Sequence, residues 1–380
     1  MKYVYLDYNA TTPIDPTVRE AMEPFLKDQF GNPSSNHALG QQAAGAVKQA
    51  RGQLADLLRC QAEDLIFTSG GTESSNLAIQ GVLPPSGKTD PIHLIISAIE
   101  HPATVEPAKS MHRRGHDLTV VGCDREAVID VQEVAEAIRP NTSLVSIMHA
   151  NNEVGTLQPI RAIANICKSS GILLHVDAAQ SAGKVPVDAK ELGADLLTIA
   201  GHKLYAPKGI GALYIKKGIE LQPLFFGATQ EQGLSPGTEN VSQIVALGAA
   251  AELAQNRLEA DAERLGKLRN LLEGQLKHGS GNRITINAQG AERLPNTSSA
   301  NFPDVVAVEL LATVPELCAS TGAACHSNTT HISATLAAMG ISEEVARGTI
   351  RLSLGRHTTE KQVAYAAEQL LEAWRGLSGC

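Results

Sequence analysis

The chain of 380 residues lacks the features that direct a protein to a membrane or to nucleic acid. No apolar run approaches the roughly 18 residues of a membrane-spanning helix, and the first residues have neither a long apolar segment nor an Arg- and Ser-rich pattern. Basic residues are not in excess, since 32 Lys and Arg stand against 40 Asp and Glu and the formal net charge is −8. A chain with this charge balance lacks the excess of positive charge that favours binding to nucleic acid or to an anionic membrane. We therefore expect a cytoplasmic protein without either partner.

Cysteines are few, and their spacing is not that of a metal or redox site. The six cysteines are Cys60, Cys123, Cys167, Cys318, Cys325 and Cys380. No two of them form the close C-x-x-C pair of zinc and redox sites, and thiols in a chain without an export signal are expected to be reduced. The sequence thus predicts no metal site, and most of these side chains are interpreted as small hydrophobes.

What the chain does contain is a regular alternation of short apolar runs and helical patterns between about residues 64 and 218. The strand-like runs are 65–68, 92–97, 118–121, 144–148, 173–177 and 196–199. Nearly continuous apolar strands separated by helices indicate a parallel sheet covered on both faces. Ligands of such sheets bind beyond the carboxyl ends of the strands.

The organisation changes after a long helical pattern at about 241–278. Strand-like segments at 284–287 and 299–302 then mix with helical patterns near 306–311 and 359–374. We interpret this part as a smaller α+β domain, which the N-terminal dozen residues join. The predicted division is a large domain over 15–255 and a small domain over 1–14 and 256–380.

Four polar signals follow predicted strands, and each has an ordinary alternative when taken alone. The glycines of Ser69-Gly70-Gly71-Thr72 suit either a plain turn or the binding of an anion at a helix N-terminus. His101 suits a capping or core histidine, Asp177 a helix N-cap, and Lys203 a surface charge. An aspartate directly after an apolar strand is nevertheless expensive to bury without a cationic partner. A lysine at a strand end, preceded by Gly201 and His202, also suits Schiff-base chemistry.

The four signals together fit the requirements of pyridoxal phosphate. That cofactor needs a cradle for its phosphate, a flat group over its ring, a carboxylate at its pyridine nitrogen and an amine at its aldehyde. The chain presents these parts in that order, each at the end of a predicted strand. We therefore predict a pyridoxal-phosphate enzyme.

The sequence resembles the cysteine desulfurases of the class V aminotransferase-like superfamily along its whole length. The matching segments are 5–13, 31–35, 148–155, 236–240 and 351–356. The resemblance implies an α/β fold of the aspartate aminotransferase type, with a mainly parallel seven-stranded sheet in the large domain and a smaller α+β domain. It also implies a homodimer.

The resemblance implies a role for each residue around the cofactor ring. Lys203 would hold the cofactor covalently and later move the Cα proton of the substrate. Asp177 would pair with the pyridine nitrogen, and His101 would stack on the ring and act as an acid. Gln180 and Asn152 would hydrogen-bond the phenolic oxygen of the cofactor.

The cofactor phosphate has its own set of implied ligands. Thr72 and His202 would hold it together with the backbone at Gly71, and Thr238 would reach the phosphate bound by the neighbouring subunit. The family often has a serine ligand where this chain has Ala200. One side-chain donor is therefore missing relative to the family.

The substrate and the transferred sulfur have implied residues too. Arg351 would grip the substrate carboxylate, with Asn151 beside it, because a guanidinium fork suits a two-oxygen target. Cys325 would take sulfur from L-cysteine as a persulfide and pass it to an acceptor such as an iron–sulfur scaffold, where it could also ligate a cluster transiently. Its small, polar surroundings indicate a mobile exposed loop.

Three other readings stay open at the level of sequence. The run Ala-Ala-Cys-His-Ser at 323–327 and the missing upstream serine are similar to selenocysteine lyases, which act on L-selenocysteine. A non-catalytic sulfur-relay or scaffold protein would keep the fold without the cofactor. Another class V enzyme, such as an aminotransferase, would not need Cys325.

Overall fold

A computed structural model describes residues 3–83, 90–326 and 329–379, except for the side chains of 323–331. Within those residues the β-strands are β1 (Val4–Tyr5), β2 (Leu65–Thr68), β3 (His93–Ser97), β4 (Asp117–Val121), β5 (Thr142–Met148), β6 (Leu173–Asp177), β7 (Leu196–Ala200), β8 (Gly211–Ile215), β9 (Thr285–Ile286), β10 (Thr297–Asn301), β11 (Leu317–Cys318), β12 (Ser320–Thr321), β13 (Ala323–His326), β14 (Thr329–Ile332) and β15 (Thr349–Ser353). The α-helices are α1 (Pro16–Lys27), α2 (Ala38–Leu58), α3 (Gly71–Gln80), α4 (Pro102–Arg113), α5 (Val131–Ala137), α6 (Ile160–Ser169), α7 (Ala189–Leu192), α8 (Val241–Gly279), α9 (Ala307–Ala312), α10 (Ala334–Ala338), α11 (Glu343–Arg347) and α12 (Glu360–Ser378).

The central feature is a seven-stranded sheet in the order β2-β8-β7-β6-β5-β3-β4. Strand β8 runs antiparallel to both of its neighbours, and every other pair is parallel. The prediction of a mainly parallel sheet of seven strands is confirmed. Six of the strands coincide with the predicted runs, and β8 is the one that the sequence did not single out.

Both faces of this sheet are covered by helices. Consecutive side chains of β3 alternate between two apolar clusters, because side chains along a strand point to opposite faces. Leu94 and Ile96 pack with Met111 of α4 on one face. Ile95 belongs to the cluster on the other face, which includes Leu54 of α2. This double coverage explains why the strands are apolar throughout rather than alternating.

A separate apolar cluster forms around the four-stranded antiparallel sheet β12-β15-β10-β9. It joins Leu352 of β15, Leu370 of α12 and the N-terminal Leu6. Helix α8 contributes to two clusters, with Leu247 packed under the large sheet and Leu272 in this second core. The predicted boundary at residue 255 thus falls inside one continuous helix. No helix in the described part of the chain, α8 included, is long and apolar enough to cross a membrane.

The segment around Cys325 has a regular backbone, where we expected a loop. Strand β13 pairs antiparallel with β14, and Cys325 lies opposite Thr330. The expectation of a loop rested on the small, polar surroundings of Cys325, but a two-stranded ladder is held by backbone hydrogen bonds and can form from such residues. The side chain of Cys325 lies outside the described part of the chain.

Candidate active site

A cavity of about 240 Å³ lies beyond the carboxyl ends of β6 and β7. Eight of the predicted site residues line it, namely Gly71, Thr72, His101, Asn152, Asp177, Gln180, His202 and Lys203. Its other walls are small or apolar and consist of Ala10, Ala103, Met148, Ala150, Ala179 and Ala200. The cavity therefore has flat apolar walls with a few polar groups directed into it, as cofactor sites typically do.

Lys203 ends a short 3₁₀ turn that directly follows β7. Its Nζ donates hydrogen bonds to the backbone carbonyl oxygens of Asn9 and Ala10, the latter at 3.1 Å. Desolvation lowers the pKa of Lys203 from 10.5 to about 8, with the positive charge of Arg351 acting in the same direction and Asp177 opposing it. About a tenth of the amine is then neutral at pH 7 and about half at pH 8, and the neutral form is the one that condenses with an aldehyde.

Asp177 is the last residue of β6 and is only 7% exposed. Its Oδ1 accepts a hydrogen bond from the Ala179 N–H at 2.9 Å, whereas Oδ2 has no partner among the described residues. Burial raises the pKa of this carboxyl. No helix begins here, since α7 starts only at Ala189, so the N-cap alternative does not apply. A buried carboxylate beside a cavity suits a cationic group bound there.

His101 caps α4 and also lines the cavity, so both interpretations of this residue hold. Its Nδ1 accepts the Ala103 N–H at 3.1 Å, and Pro102 occupies the first helical position. Desolvation lowers the pKa of His101, while Asp177 opposes that shift. Because Nδ1 is an acceptor, the neutral ring carries its proton on Nε2. The imidazole is therefore fixed in one tautomer against the cavity.

The opposite end of the cavity is built by the N-terminus of α3. Gly70 has a φ of 151° and offers no side chain to cap the helix, so among the described residues no N-cap side chain occupies the first N–H groups, and they can bind an anion. A Cβ on Gly71 would lie 3.3 Å from the Ala200 Cβ, a tight contact that would require a small shift of its neighbour. Thr72 adds a hydroxyl and His202 an imidazole whose pKa desolvation lowers to about 4. Ala200 contributes only a methyl group.

A polar network centred on Asn9 supports the cavity floor. The Asn9 carbonyl oxygen accepts from Gln180 Nε2 at 2.9 Å as well as from Lys203, and Asn9 Nδ2 donates to the Asn152 carbonyl oxygen at 3.1 Å. Behind it, Lys184 Nζ donates to Gln180 Oε1 at 2.8 Å, and burial lowers the pKa of Lys184 well below its ordinary value. Sequence reasoning assigned no role to Asn9 or Lys184.

Arg351 of β15 does not line the cavity, although its positive charge lowers the pKa of Lys203. Its Nη2 donates to Asp7 Oδ1 at 2.7 Å and to Ser320 Oγ at 3.0 Å. Its Nη1 donates to the carbonyl oxygen of Asn152, a cavity residue, at 3.1 Å. The guanidinium is thus held next to the cavity by partners that the sequence did not identify.

Asn151 points away from the cavity, unlike its neighbour Asn152. It is fully buried, and its Nδ2 donates to the Ile99 carbonyl oxygen at 3.2 Å. Its Oδ1 accepts the N–H groups of Glu153 and Val154 at 2.8 and 3.0 Å. The amide is committed to holding the turn after β5, and substrate contact by Asn151 has no support in this geometry.

Two further predicted residues lie elsewhere. Thr238 lines a separate cavity with Ser69 and Glu73, on the other side of the turn that leads into α3. Cys325 is placed only as a position on β13. Neither is brought to Lys203 by the described residues of this one chain.

Glu100, directly before His101, is a buried acid that the sequence did not flag. Its Oε1 accepts from Ser97 Oγ at 2.5 Å and from the Met148 N–H at 2.9 Å, whereas Oε2 is buried and has no partner in the described part of the chain. Desolvation raises the pKa of Glu100 to about 8. This carboxyl is therefore largely protonated, and neutral, at neutral pH.

The combined geometry suits a ligand that carries an anionic group, an aldehyde and a cationic ring nitrogen. The α3 N-terminus can accept an anion, Asp177 can pair with a cationic ring nitrogen, and Lys203 offers an amine. Orphaned donors and a buried carboxylate oxygen thus fit pyridoxal phosphate. Among the described residues, no cluster of three or more His, Cys, Asp or Glu side chains could hold a metal ion.

Comparison with known proteins agrees with this geometry. Residues 4–365 match the family model "Aminotransferase class-V". The chain is 41% identical over 383 residues to the cysteine desulfurase IscS of Dictyoglomus turgidum, covering 99% of this chain and 96% of that protein. A solved NifS-like protein superimposes with a TM-score of 0.90 at 35% identity, covering 97% and 98% of the two chains. The structure of SspA in complex with cysteine gives a TM-score of 0.80 at 36% identity, covering 93% and 99%.

Proposed function

Because this chain belongs to the class V aminotransferase family and matches cysteine desulfurases over its whole length, we propose that it is a pyridoxal-phosphate-dependent cysteine desulfurase. It converts L-cysteine to L-alanine and leaves the sulfur as a persulfide on Cys325. The observation that carries this proposal is the convergence of Lys203, Asp177, His101 and the α3 N-terminus on one cavity.

The residues present fit the cofactor. When bound, pyridoxal phosphate supplies an aldehyde for amines and a ring that withdraws electrons from the substrate Cα. The free N–H groups at Gly71, with Thr72 and His202, hold its phosphate. Asp177 holds its ring nitrogen in the cationic form, because an unpaired buried carboxylate gains most from a positive neighbour.

Proton transfer at the substrate falls to two groups on the cavity wall. Lys203, with its pKa lowered to about 8, moves a proton at the substrate Cα through Nζ. His101 presents Nε2–H to the same space, because its Nδ1 is occupied by the Ala103 N–H. Gln180 and Asn152 hold the phenolic side of the ring.

Sulfur transfer requires a nucleophile that the cavity itself does not contain. The Cys325 thiol takes the sulfur atom of the substrate, so that cysteine and the thiol become alanine and a persulfide with all atoms accounted for. The hairpin β13–β14 carries this residue to the site and afterwards presents the sulfur to an acceptor protein such as an iron–sulfur scaffold.

The remaining assignments complete the proposal. Arg351 binds the substrate carboxylate, and Thr238 reaches the phosphate site of a second copy in a homodimer. The division into a large domain over 15–255 and a small one made of 1–14 and 256–380 would let the two cores move relative to each other. The protein works in the cytoplasm.

The decisive experiment is turnover of L-cysteine by the purified, cofactor-loaded protein, with mass spectrometry of the intact chain. Wild type should form alanine and gain about one reductant-labile sulfur atom, as expected for one covalent nucleophile. Cys325→Ser should retain the cofactor but gain no sulfur and form no alanine, whereas the matched Cys318→Ser should behave as wild type. Alanine formation by Cys325→Ser from L-selenocysteine alone would instead favour a selenocysteine lyase. Full desulfuration by that variant would refute the proposal.

A further inference from the structure

An internal carboxylate already occupies the guanidinium of Arg351. Asp7 Oδ1 accepts from Arg351 Nη2 at 2.7 Å and from Ser320 Oγ at 2.8 Å, and Ser320 Oγ accepts from the same Nη2 at 3.0 Å. The side chains of Arg351 and Asp7 are 13% and 19% exposed. The three groups form a closed triangle beside the cavity.

This triangle uses the nitrogen that a bound carboxylate would need. A guanidinium offers two forks to a carboxylate, one between Nη1 and Nη2 and one between Nε and Nη2, and Nη2 belongs to both. Nη2 of Arg351 has two hydrogens and already donates to Asp7 and Ser320. Nε is buried and has no partner among the described residues, and Nη1 has one hydrogen committed to the Asn152 carbonyl oxygen. A bidentate ligand therefore cannot bind while Asp7 and Ser320 both hold Nη2.

We propose that Asp7 is a specificity-determining residue that competes with the substrate carboxylate for Arg351, so that substrate binding is an exchange of one carboxylate for another. The inference rests on the proposed function, in which Arg351 binds that carboxylate. The affinity of the site is then the difference between two similar ion pairs. The product, L-alanine, carries the same carboxylate, and the return of Asp7 to Nη2 assists its release.

The surroundings of Asp7 allow such an exchange. Its backbone is fixed independently of its side chain, through a bridge to Ser353, and Tyr5 Oη donates to its carbonyl oxygen at 3.0 Å. The nearby cation Lys203 interacts favourably with the Asp7 charge. Asp7 can thus leave Nη2 without unfolding the segment that carries it, and its charge still has a positive neighbour.

The test uses propionate, which has the carboxylate of the substrate but neither its amine nor its sulfur. Propionate affinity is measured by calorimetry and as competitive inhibition of the cofactor-loaded enzyme, with propionamide as the uncharged control ligand. Asp7→Asn keeps the acceptor oxygen but removes the competing charge. It should bind propionate about threefold to tenfold more tightly than wild type, the size expected for a charge-assisted contact that is partly exposed. The KM for L-cysteine should fall in parallel.

A matched control and a second variant separate the causes. The control is Asp304→Asn, because Asp304 also lies 2.7 Å from an arginine Nη2, that of Arg283, but on the exposed surface. This variant should leave propionate affinity unchanged. Weaker propionate binding in Asp7→Asn would show that Asp7 orients Arg351, and unchanged binding would show that Asp7 has no effect on the carboxylate site. Either result would overturn this inference but would leave the proposed function standing. Arg351→Ala should weaken propionate binding. If it does not, the role of Arg351 in the proposed function fails, and the inference fails with it.

Discussion

Replacing Glu100 by glutamine should stabilise the protein in alkaline solution, although the side chain is buried and hydrogen-bonded. Glutamine keeps the Oε1 acceptor that Ser97 Oγ and the Met148 N–H use at 2.5 and 2.9 Å. It removes the ionisation of the carboxyl and puts an amide group in place of Oε2, which has no partner among the described residues. The pH dependence of its effect therefore isolates the charge at this position.

The size of the effect follows from the displaced pKa. Desolvation raises the pKa of Glu100 from 4.5 to about 8, so the folded protein keeps a proton that the unfolded chain has released in this range. The contribution of Glu100 to the free energy of unfolding is consequently full below pH 4.5 and is lost as the pH rises to about 8. At about 1.4 kcal/mol per pKa unit, the loss in wild type is roughly 3–5 kcal/mol. Glu100→Gln avoids this loss of unfolding free energy, but its unpaired buried amide costs about 1 kcal/mol at every pH.

The assay is urea unfolding of the cofactor-free protein at pH 5 and pH 9, compared between wild type and Glu100→Gln at one protein concentration. The variant should have the higher midpoint at pH 9 and an equal or slightly lower one at pH 5. Asp177 is present in both proteins, and its charge helps to raise the pKa of Glu100, so the difference between the two proteins includes relief of that repulsion at pH 9. Glu273→Gln is the contrast, because that buried carboxylate pairs with Arg293 at 3.0 Å and its loss should destabilise at both pH values. Equal destabilisation of Glu100→Gln at both pH values would refute a neutral Glu100.

The remaining predictions concern the cavity. Lys203→Ala should abolish both turnover and the covalent retention of pyridoxal phosphate after borohydride treatment. The control Lys217→Ala, at an exposed position, should abolish neither. A covalent link to the cofactor in Lys203→Ala would show that another amine holds it. The rate at which the cofactor-free wild type captures pyridoxal phosphate should rise with pH and level off near pH 8, because the lowered pKa of Lys203 makes the amine neutral there. A rate still rising tenfold per pH unit at pH 10 would contradict that shift. Asp177→Asn should slow turnover by at least about tenfold, because the ring nitrogen loses a desolvated counter-charge. An unchanged rate and visible spectrum would show that another group holds that nitrogen.

The convergence of the chemical groups was predictable because it follows from strand geometry. The carboxyl ends of parallel strands meet at one edge of a sheet, and His101, Asp177 and Lys203 each follow a strand that could be recognised as an apolar run. Glycines before a helix likewise identified the anion-binding end at Gly71 and Thr72. These inferences needed only local patterns and the rule for where ligands bind.

Neighbouring polar residues could not be separated in the same way. Asn151 and Asn152 are adjacent and identical in type, yet the first is fully buried in backbone contacts and the second lines the cavity. Their directions depend on the turn after β5 and on Asn9, which donates to the Asn152 carbonyl oxygen from far away in the sequence. Composition carries no information about which amide faces inward.

The sequence by itself thus determined the sheet, the edge at which the cavity lies and most of the polar groups that line it. The environment of those groups was decided by long-range packing, which brings the N-terminal segment over the carboxyl ends of the strands. Asn9 meets Lys203, and Asp7 meets Arg351, only because β15 and the chain start are bridged at Ser353. The lowered pKa of Lys203 and the occupied guanidinium of Arg351 arise there, since desolvation and charge pairing depend on distance in space and not on position along the chain.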